Sequence, residues 1–554
     1  MSSKPQTIAA MAWQRLAQPS EQPALFRKHA DEFQATTWQQ LAVDVLQTVD
    51  RLHRLGIKVG DRVAQLSENR YEWIVADLAI HFLRAIHVPI HAPLAPPQVL
   101  FQIQHSQAKA VLISNQTQFD KLTPLGDKLP DNLHVILFEP VEHADTLNAV
   151  QLNELAGSAE SGRNIAQRNV DTAATEDIAS ILYTSGTTGE PKGVILTHRN
   201  LVSNAISTVE AFGMNQHVRR LCFLPLSHIF ARTCDLYTWL AAGCELALAT
   251  SRDTVLADCQ LFQPTEINGV PYFYDRVWRI LKEHSADQTP GALKQILGSK
   301  IHHCCSGGAA LPDHVFDYYQ QQGVPIYQGY GLSETSPVIS LSTPNAFRRS
   351  ASGTAIKDVQ VRLAEDGEIL TKGPHVMPGY WHNDQATAEV IQDGWFSTGD
   401  YGHIDDDGFI FITGRKKELI VTAAGKNVAP VLLESLLTED SLIDQAMVIG
   451  DGRSFLTALV VPNSQLVSLH HDQHHTGNRP SECEACRAYM QDIVNGRLEC
   501  VSYHEQVRKI TLLSEPFSIE KAELTPKLSL RREVIQQHFA DAIEAMYRKS
   551  NEGE

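Results

Sequence analysis

Short apolar runs alternate with longer amphipathic segments through the first third of the chain. Apolar positions between Trp38 and Leu55 recur at helical spacing, and Gly56 follows them as a typical helix C-cap. A second helix is expected to open at Trp73. Apolar strands are expected at residues 62–66, 110–114 and 135–138. Because helices that alternate with short β-branched runs usually cover parallel sheets, this pattern predicts an α/β fold.

The sequence YTSGTTGEPKGVILTH, residues 183–198, introduces a loop rich in glycine and hydroxyl groups. Apolar β-formers flank the loop, so a strand, a tight loop and a second strand are predicted, with Thr197 as N-cap of a helix over residues 198–212. Backbone N–H groups, hydroxyl donors and the charge of Lys192 suit a polyphosphate. It is not a Walker loop, because Pro191 stands where that pattern requires glycine. An ordinary Gly/Thr-rich hairpin is the alternative.

Chain length and charge limit the classes of protein to consider. The 554 residues are too many for one hydrophobic core, so two or more domains are expected. The formal net charge of −17 disfavours a nucleic-acid surface as the main partner. It does not exclude ATP, because local amides and lysines can bind phosphates on an acidic protein.

Several features of the sequence favour a cytoplasmic protein. The first 20 residues lack the apolar core of a secretion signal, and no run of 18 apolar residues occurs. The 9 cysteines lack framework spacing and fit a reducing compartment. A cytoplasmic location is therefore predicted, and peripheral contact with the inner membrane face is left open.

Two further motifs follow the loop at 183–198 along the chain. YQGYGLSETSPVIS spans residues 327–340, and DGWFSTGDYGHIDDDGFIFITGRKKELIVTAAGKNVAP spans residues 393–430. In this order the three motifs resemble the adenylate-forming superfamily of AMP-binding enzymes. The segments SENRYEW at 67–73, LPLSHIF at 224–230 and GRKKELI at 414–420 resemble its long-chain acyl-CoA synthetase branch. The resemblance covers nearly the whole chain.

The resemblance implies a nucleotide site. The residues that it assigns to ATP are Thr184, Ser185, Gly186, Thr187, Thr188, Lys192, Gly307, Gly308, Tyr330, Gly331, Thr335, Asp400 and Arg415. The loop and Lys192 would hold the β- and γ-phosphates, while small residues at 307–308 allow the backbone to approach adenine and Tyr330 stacks on that base. The carboxylate of Asp400 suits two ribose hydroxyls, and Arg415 suits the ribose and α-phosphate side.

The same resemblance assigns a metal and a set of catalytic groups. Mg²⁺ would contact Glu334, a hard oxygen ligand, together with Thr184. His228 corresponds to a ring at the reacting carboxylate, for which a core or capping histidine is the alternative. The implied catalytic residues are Lys527, His228, Glu334 and Arg415.

The fold implied by the resemblance has two domains. A large N-terminal domain of mainly parallel sheets with helices, residues 1–414, binds AMP and the acyl group. A small mobile C-terminal α/β domain follows at residues 415–554, with Lys417 at the hinge. Rotation of the small domain would let two reactions use one site in sequence.

The C-terminal motif ELTPKLSLRR departs from the family pattern. In register with Leu-Thr-Pro, Ser529 occupies the position of the family's adenylating lysine, and Lys527 lies two residues earlier. In an extended segment this offset keeps the face but moves the origin by about 6.6 Å. Three interpretations follow: Lys527 substitutes, adenylation is slow, or the first half-reaction is lost.

Two clusters raise the question of metal ligands. A histidine group precedes a C-x₂-C pair at His470, His471, His474, His475, Cys483 and Cys486. Four such ligands would form a structural zinc site, but polar loop histidines before a helix with two cysteines is the alternative. The acidic run 405–408 lacks the later bidentate glutamate of a calcium loop, so a solvated hairpin turn is expected there.

The resemblance implies ATP-dependent activation of a carboxylic acid, favouring a long-chain fatty acid, and transfer to coenzyme A. Its partners would be the fatty acid, ATP with Mg²⁺, and coenzyme A, and a homodimer is left open. One alternative is another adenylate-former that acylates a carrier protein or closes a lactone. Another, motivated by Ser529, is a non-catalytic nucleotide or acyl binder.

Overall fold

The structure is a computed structural model that describes residues 5–184, 191–251, 253–463, 483–518, 521–524 and 530–548, with only the backbone at Asn427. Its strands are β1 (Pro23–His29), β2 (Glu32–Thr37), β3 (Arg62–Leu66), β4 (Ile86–Ile90), β5 (Ala110–Ile113), β6 (His134–Leu137), β7 (Val150–Gln151), β8 (Ile178–Thr184), β9 (Lys192–Thr197), β10 (Arg219–Cys222), β11 (Glu245–Leu248), β12 (Glu266–Gly269), β13 (His303–Ser306), β14 (Ile326–Gly331), β15 (Val338–Leu341), β16 (Thr354–Ala355), β17 (Gln360–Leu363), β18 (Glu368–Lys372), β19 (Gly379–Tyr380), β20 (Ile391–Gln392), β21 (Trp395–Ile404), β22 (Ile410–Arg415), β23 (Ile420–Val421), β24 (Asn427–Val428), β25 (Ile443–Ile449), β26 (Leu456–Pro462) and β27 (Val507–Leu512).

Helices alternate with these strands along the chain. They are α1 (Ile8–Leu16), α2 (Trp38–Arg54), α3 (Tyr71–Phe82), α4 (Pro96–Ser106), α5 (Gln116–Phe119), α6 (Ala159–Thr172), α7 (His198–Phe212), α8 (Ile229–Ala231), α9 (Thr238–Ala242), α10 (Val255–Phe262), α11 (Pro271–Glu283), α12 (Ala292–Leu297), α13 (Asp313–Gln321), α14 (Asp384–Val390), α15 (Pro430–Thr438), α16 (Glu484–Arg497), α17 (Arg532–His538) and α18 (Ala540–Tyr547). A π-helical turn, Arg232–Tyr237, joins α8 to α9, and short 3₁₀ turns include Ser333–Thr335.

Two large sheets carry the first part of the chain. One has nine strands in the order β16-β15-β14-β13-β12-β10-β11-β1-β2, and the other has eight in the order β19-β9-β8-β4-β3-β5-β6-β7. Pairs in the middle of each sheet, such as β3–β4, β3–β5, β12–β13 and β13–β14, are parallel, whereas β8–β9 and β14–β15 are antiparallel. Strands β4 and β5 are buried along their whole length, which explains the continuous apolar sequence of β5 and the apolar sequence of β4 outside His87. The α/β prediction is confirmed.

Local sequence signals placed several elements correctly. Helix α2 carries a capping box at Thr37 and Gln40 and ends before Gly56, whose φ of +84° favours glycine. Strand β3 coincides with the predicted span, and Thr197 caps α7 by accepting a hydrogen bond from the backbone of Asn200. Helix α3 begins at Tyr71, two residues before the predicted Trp73.

The chain divides into two compact units. The first comprises residues 1–362, 370–398 and 404–411, and the second comprises 363–369, 399–403 and 412–554. In the second unit, β25 pairs antiparallel with β26, which pairs parallel with β27, and apolar residues of α15 and α16 pack in the same core. The predicted boundary at 414/415 and the hinge at Lys417 stay predictions.

Among the residues that the structure describes, no helix is both long enough and apolar enough to span a bilayer. All nine cysteines lie within the described ranges and none forms a disulfide, and eight of them are buried.

Candidate active site

The predicted phosphate loop connects two paired strands. Strand β8 ends at Thr184 and β9 begins at Lys192, and these two residues are partners in the antiparallel register. The loop residues Ser185, Gly186, Thr187 and Thr188 lie outside the described residues. The described strand ends therefore place Thr184 and Lys192 opposite each other at the mouth of the loop, in the strand–loop–strand arrangement that the sequence predicts.

Lys192 and Glu334 both contact the side chain of Tyr380. The ammonium nitrogen of Lys192 lies 4.9 Å from the centroid of the Tyr380 ring. The hydroxyl of Tyr380 donates a 2.9 Å hydrogen bond to Oε1 of Glu334. Strand β19, which carries Tyr380, pairs antiparallel with β9 beside Val194, so the three groups belong to one framework. Burial, followed by the charge of Glu334, raises the pKa of Tyr380, so the hydroxyl stays protonated and donates at neutral pH.

Helix α7 holds the segments that carry Tyr380 and Glu334. The side-chain amide of Asn200 donates 2.8 Å hydrogen bonds to the carbonyls of Pro374 and Val376, shortly before Tyr380. One turn later, Asn204 donates to the carbonyl of Val338 at 2.8 Å. Both asparagines are buried on one face of the helix. This helix follows directly from β9, so the phosphate-loop hairpin and both segments share one support.

The turn around Glu334 is closely packed. The backbone N–H of Met377 donates to the carbonyl of Glu334 at 2.9 Å, and the hydroxyl of Thr335 donates to the carbonyl of Leu332 at 3.1 Å. A Cβ atom on Gly331 would lie 1.7 Å from the carbonyl oxygen of Pro337, so only glycine fits there. Thr335 thus has a structural role in the turn, and its predicted contact with the nucleotide stays a prediction.

The residues predicted for the adenine side lie at the ends of neighbouring parallel strands. Gly307 and Gly308 follow β13, and Tyr330 lies near the end of β14, which pairs with β13. A Cβ atom on Gly307 would lie 3.3 Å from the ring of Phe230, and Gly308 has a φ of +87°. The carboxyl ends of parallel strands are the usual ligand edge of such sheets. The structure therefore brings these three predicted residues to one sheet edge.

His228 precedes the short helix α8 at the same part of the first unit. Its Nδ1 accepts a 3.2 Å hydrogen bond from the backbone N–H of Phe230, and the residue is half-buried. The capping role considered as the alternative is therefore present. The predicted role of His228 at a substrate carboxylate stays a prediction.

Asp400 and Arg415 contact each other in the second unit. Oδ1 of Asp400 lies 3.2 Å from Nε of Arg415, and the aspartate is 2% exposed. The backbone N–H of Gly399 donates to Glu368 at 2.9 Å. The side chain of Arg415 is 56% exposed. This pair gives a buried acceptor beside an accessible cation, as a ribose and an α-phosphate require.

Several predicted catalytic and metal-binding residues cannot be placed. Lys527, Ser529 and the histidines at 470–475 lie outside the described residues. Within the described ranges, which omit 464–482, no group of three or more His, Cys, Asp or Glu could hold a metal ion.

The acidic run at 405–408 forms a turn between two strands. Asp405 accepts hydrogen bonds from the backbone N–H groups of Asp407 and Phe409, and Arg348 pairs with Asp405 and Asp407. The predicted hairpin turn at 405–408 is confirmed.

Comparisons with known proteins agree with the family resemblance of the sequence motifs. The AMP-binding enzyme family matches residues 12–381, and the AMP-binding enzyme C-terminal domain matches residues 417–551. Long-chain-fatty-acid–CoA ligase FadD15 of Mycobacterium bovis is 32% identical over 544 residues, which cover 89% of each chain. Long-chain-fatty-acid–CoA ligase ACSBG2 of Xenopus laevis is 26% identical over 99% of this chain and 84% of its own. The crystal structure of the anthranilate CoA ligase AuaEII with anthranoyl-AMP superposes with a TM-score of 0.78 at 22% identity, covering 97% of this chain and 98% of that one, and shows the same fold.

Proposed function

This chain belongs to the AMP-binding enzyme family, and from that membership we propose that it is a long-chain-fatty-acid–CoA ligase. It activates a fatty acid with ATP to an acyl-adenylate and transfers the acyl group to coenzyme A. The relatives with that name support the substrate class, and the contact of Tyr380 with both Lys192 and Glu334 supports the site.

The reaction needs no nucleophile from the protein. A carboxylate oxygen of the fatty acid attacks the α-phosphorus of ATP, and the bond from that phosphorus to the bridging oxygen breaks to release pyrophosphate. The thiolate of coenzyme A then attacks the acyl carbon, and AMP leaves with the electron pair of the acyl–oxygen bond. The protein supplies positioning and charge neutralisation.

The phosphate side is assigned to the first unit. Lys192 and the loop after Thr184 bind the β- and γ-phosphates, because a fixed cation beside backbone amides suits a polyphosphate. Tyr380 stabilises Lys192 through its ring face and orients Glu334 through its hydroxyl. A single side chain thereby sets the spacing between a cation and a carboxylate of the site.

Glu334 and Thr184 would hold Mg²⁺. A carboxylate and a hydroxyl are hard oxygen donors, and two protein ligands suffice because Mg²⁺ keeps several waters and binds phosphates. The hydrogen bond from Tyr380 leaves the second carboxylate oxygen of Glu334 as a donor for the ion. When bound, the ion offsets the charge that develops on pyrophosphate.

The remaining assignments extend the site to base, sugar and acyl group. Binding of adenine and the acyl carboxylate is assigned to Gly307, Gly308, Tyr330, Gly331, Thr335 and His228. Asp400 binds the ribose hydroxyls and Arg415 the α-phosphate side, supported by their 3.2 Å contact. Lys527 neutralises charge during adenylation, an assignment that rests on the sequence alone. The cytoplasmic location, peripheral membrane contact and a homodimer stay predictions.

Product analysis tests the reaction. The full-length protein is incubated with ATP, Mg²⁺ and octanoate, palmitate or oleate, with and without coenzyme A. Acyl-CoA, AMP and pyrophosphate are expected with coenzyme A, and pyrophosphate with enzyme-bound acyl-adenylate without it. Formation of ADP, or acyl transfer to carrier-protein pantetheine but not to coenzyme A, would contradict the proposal.

A further inference from the structure

The turn Arg232–Tyr237 is π-helical and lies between two short α-helical segments. All six residues are buried, and they include the ionisable side chains of Arg232, Asp235 and Tyr237. A π-helical turn widens the helix by one residue, and such turns occur often at functional sites. Charged groups are buried only where polar partners compensate their desolvation, so the partners of this turn show what it holds.

Arg232 joins the turn to the strand that leads into the phosphate loop. Its Nη1 donates a 2.7 Å hydrogen bond to the hydroxyl of Ser180 in β8, and Nη2 donates to Asp77 at 2.7 Å. Burial alone would raise the pKa of Asp77, but the charge of Arg232 and hydrogen bonds from His81 and His87 hold it well below its usual value. The ion pair is thus complete, and Arg232 fixes β8 four residues before Thr184.

Thr233 joins the turn to the segment that carries Glu334. Its hydroxyl donates a 2.8 Å hydrogen bond to the backbone carbonyl of Ser336, two residues after Glu334. Both Thr233 and Ser336 are fully buried. The bond crosses 103 residues of sequence and fixes the end of the turn from which the Glu334 carboxylate extends.

Asp235 and Cys234 join the turn to the end of β12. The side-chain amide of Asn268 donates to Oδ1 of Asp235 at 2.7 Å and to the carbonyl of Cys234 at 2.9 Å. The next residue, Gly269, accepts a hydrogen bond from the backbone N–H of Gly307 at 3.3 Å. The π-helical turn therefore contacts three segments: the strand before the phosphate loop, the segment that carries Glu334, and the strand that bonds to the glycines on the base side.

We propose that Thr233 is a positioning residue for adenylation, which acts through Ser336 to hold Glu334 at a fixed distance from Lys192. This inference rests on the proposed function, in which Glu334 meets ATP with its metal ion. The turn itself is held in place by two other contacts, from Arg232 to β8 and from Asn268 of β12. These strands lead to the phosphate side and the base side of the proposed nucleotide site. Replacing Thr233 by valine removes the hydroxyl but creates no cavity in the core. The segment that carries Glu334 can then shift.

Thr233→Val tests this role, with Thr48→Val as the matched control. Both threonines are buried in helical segments and donate a 2.8 Å hydrogen bond to a backbone carbonyl, but Thr48 bonds to Asp44 within its own helix. We expect Thr233→Val to raise the KM for MgATP in ATP–pyrophosphate exchange about tenfold with kcat changed less than about threefold. Thr48→Val should leave both constants unchanged at a similar unfolding temperature, and Thr233→Ser should restore most of the affinity.

The outcomes separate the two claims. An active wild-type enzyme with the same KM for MgATP in Thr233→Val and Thr48→Val would overturn the positioning role alone. A wild-type protein without exchange for any fatty acid would overturn the proposed function and this inference with it. If the valine variant does not fold, Thr233→Cys replaces it, because a thiol is a weak hydrogen-bond donor. A KM for MgATP equal to that of wild type in Thr233→Cys would likewise overturn the positioning role.

Discussion

The hydroxyl of Tyr380 donates a 2.9 Å hydrogen bond to Oε1 of Glu334, while the ring of the same tyrosine lies 4.9 Å from the ammonium of Lys192. The two charged groups come from motifs far apart in sequence, and Tyr380 belongs to neither motif. Its two-residue strand pairs with β9, which begins at Lys192. One side chain thus links the phosphate-loop lysine to the carboxylate assigned to the metal.

Tyr380→Phe separates the two contacts of this residue. The ring remains beside Lys192, but the hydrogen bond to Glu334 is lost. Because a hydrogen bond to a charged group contributes about 1.5 kcal/mol, we expect the KM for MgATP to rise about tenfold. The measurement is ATP–pyrophosphate exchange at varied MgATP. Tyr503→Phe, at a ring that is 74% exposed, is the control, and an equal KM in both variants would contradict the role of Tyr380.

Lys192→Met removes the charge and keeps an apolar chain of similar length. We expect pyrophosphate exchange to fall about 100-fold, because the charge on the polyphosphate then lacks its fixed counter-ion. Transfer from supplied acyl-adenylate to coenzyme A should fall by less than about threefold. Equal losses in the two half-reactions would argue against a role confined to the phosphates.

Gly425→Ala tests thioester formation, the second half-reaction, because Gly425 lies in the turn after the hinge that the family resemblance implies at Lys417, where a change is predicted to impair mainly that step. Gly425 lies in the turn between β23 and β24 with a φ of +69°, and a Cβ atom there would meet nothing within 4 Å. The substitution therefore costs about 1 kcal/mol of backbone strain without a steric clash. We expect thioester formation from supplied acyl-adenylate to fall severalfold while pyrophosphate exchange is retained. A larger loss in exchange than in thioester formation would contradict this assignment.

Lys527→Ala tests the lysine at the unusual position. If Lys527 substitutes for the family lysine, adenylation should fall about 100-fold and recover when Ser529→Lys is added. Single-turnover formation of acyl-adenylate is the measurement. Unchanged adenylation in Lys527→Ala would show that this side chain is not the adenylating group.

His375 gives a prediction for pH dependence. The residue is 1% exposed, and burial lowers its pKa to about 4 from 6.5. Between pH 4 and pH 6.5 the folded state therefore binds fewer protons than the unfolded state. The free energy of unfolding consequently falls as the pH is lowered from 6.5 toward 4, by about 3 kcal/mol in all. The unfolding temperature of His375→Asn should fall less between pH 7 and pH 5 than that of the wild type. An identical fall in both proteins would contradict the sign or the size of the shift.

Local signals predicted much of the fold. Thr197 marked the start of α7 as its N-cap, and the apolar runs around 183–198 marked β8 and β9. These predictions depend on residues close in sequence, whose hydrogen bonds form within one turn or one hairpin. The motifs likewise pointed to Lys192 and Glu334, which the structure links through one ring.

The missed residues depend on contacts between distant segments. Tyr380 lies in a two-residue strand, too short to show a period, and reaches Glu334 across 46 residues. Thr233 and Asn200 look like ordinary polar positions of helical segments, and only folding shows which carbonyls they meet. Tyr380 could have been found from the sequence only if its pairing with Val194 of β9 had been known.

The decisive experiment for fatty-acid adenylation by this protein is ATP–pyrophosphate exchange with a panel of fatty acids. We expect Mg²⁺-dependent exchange that requires a fatty acid, is fastest with long chains and is lost in Glu334→Gln. Measurable ATP binding without exchange for any acid, in a protein with an intact unfolding transition, would contradict it and identify a nucleotide binder instead.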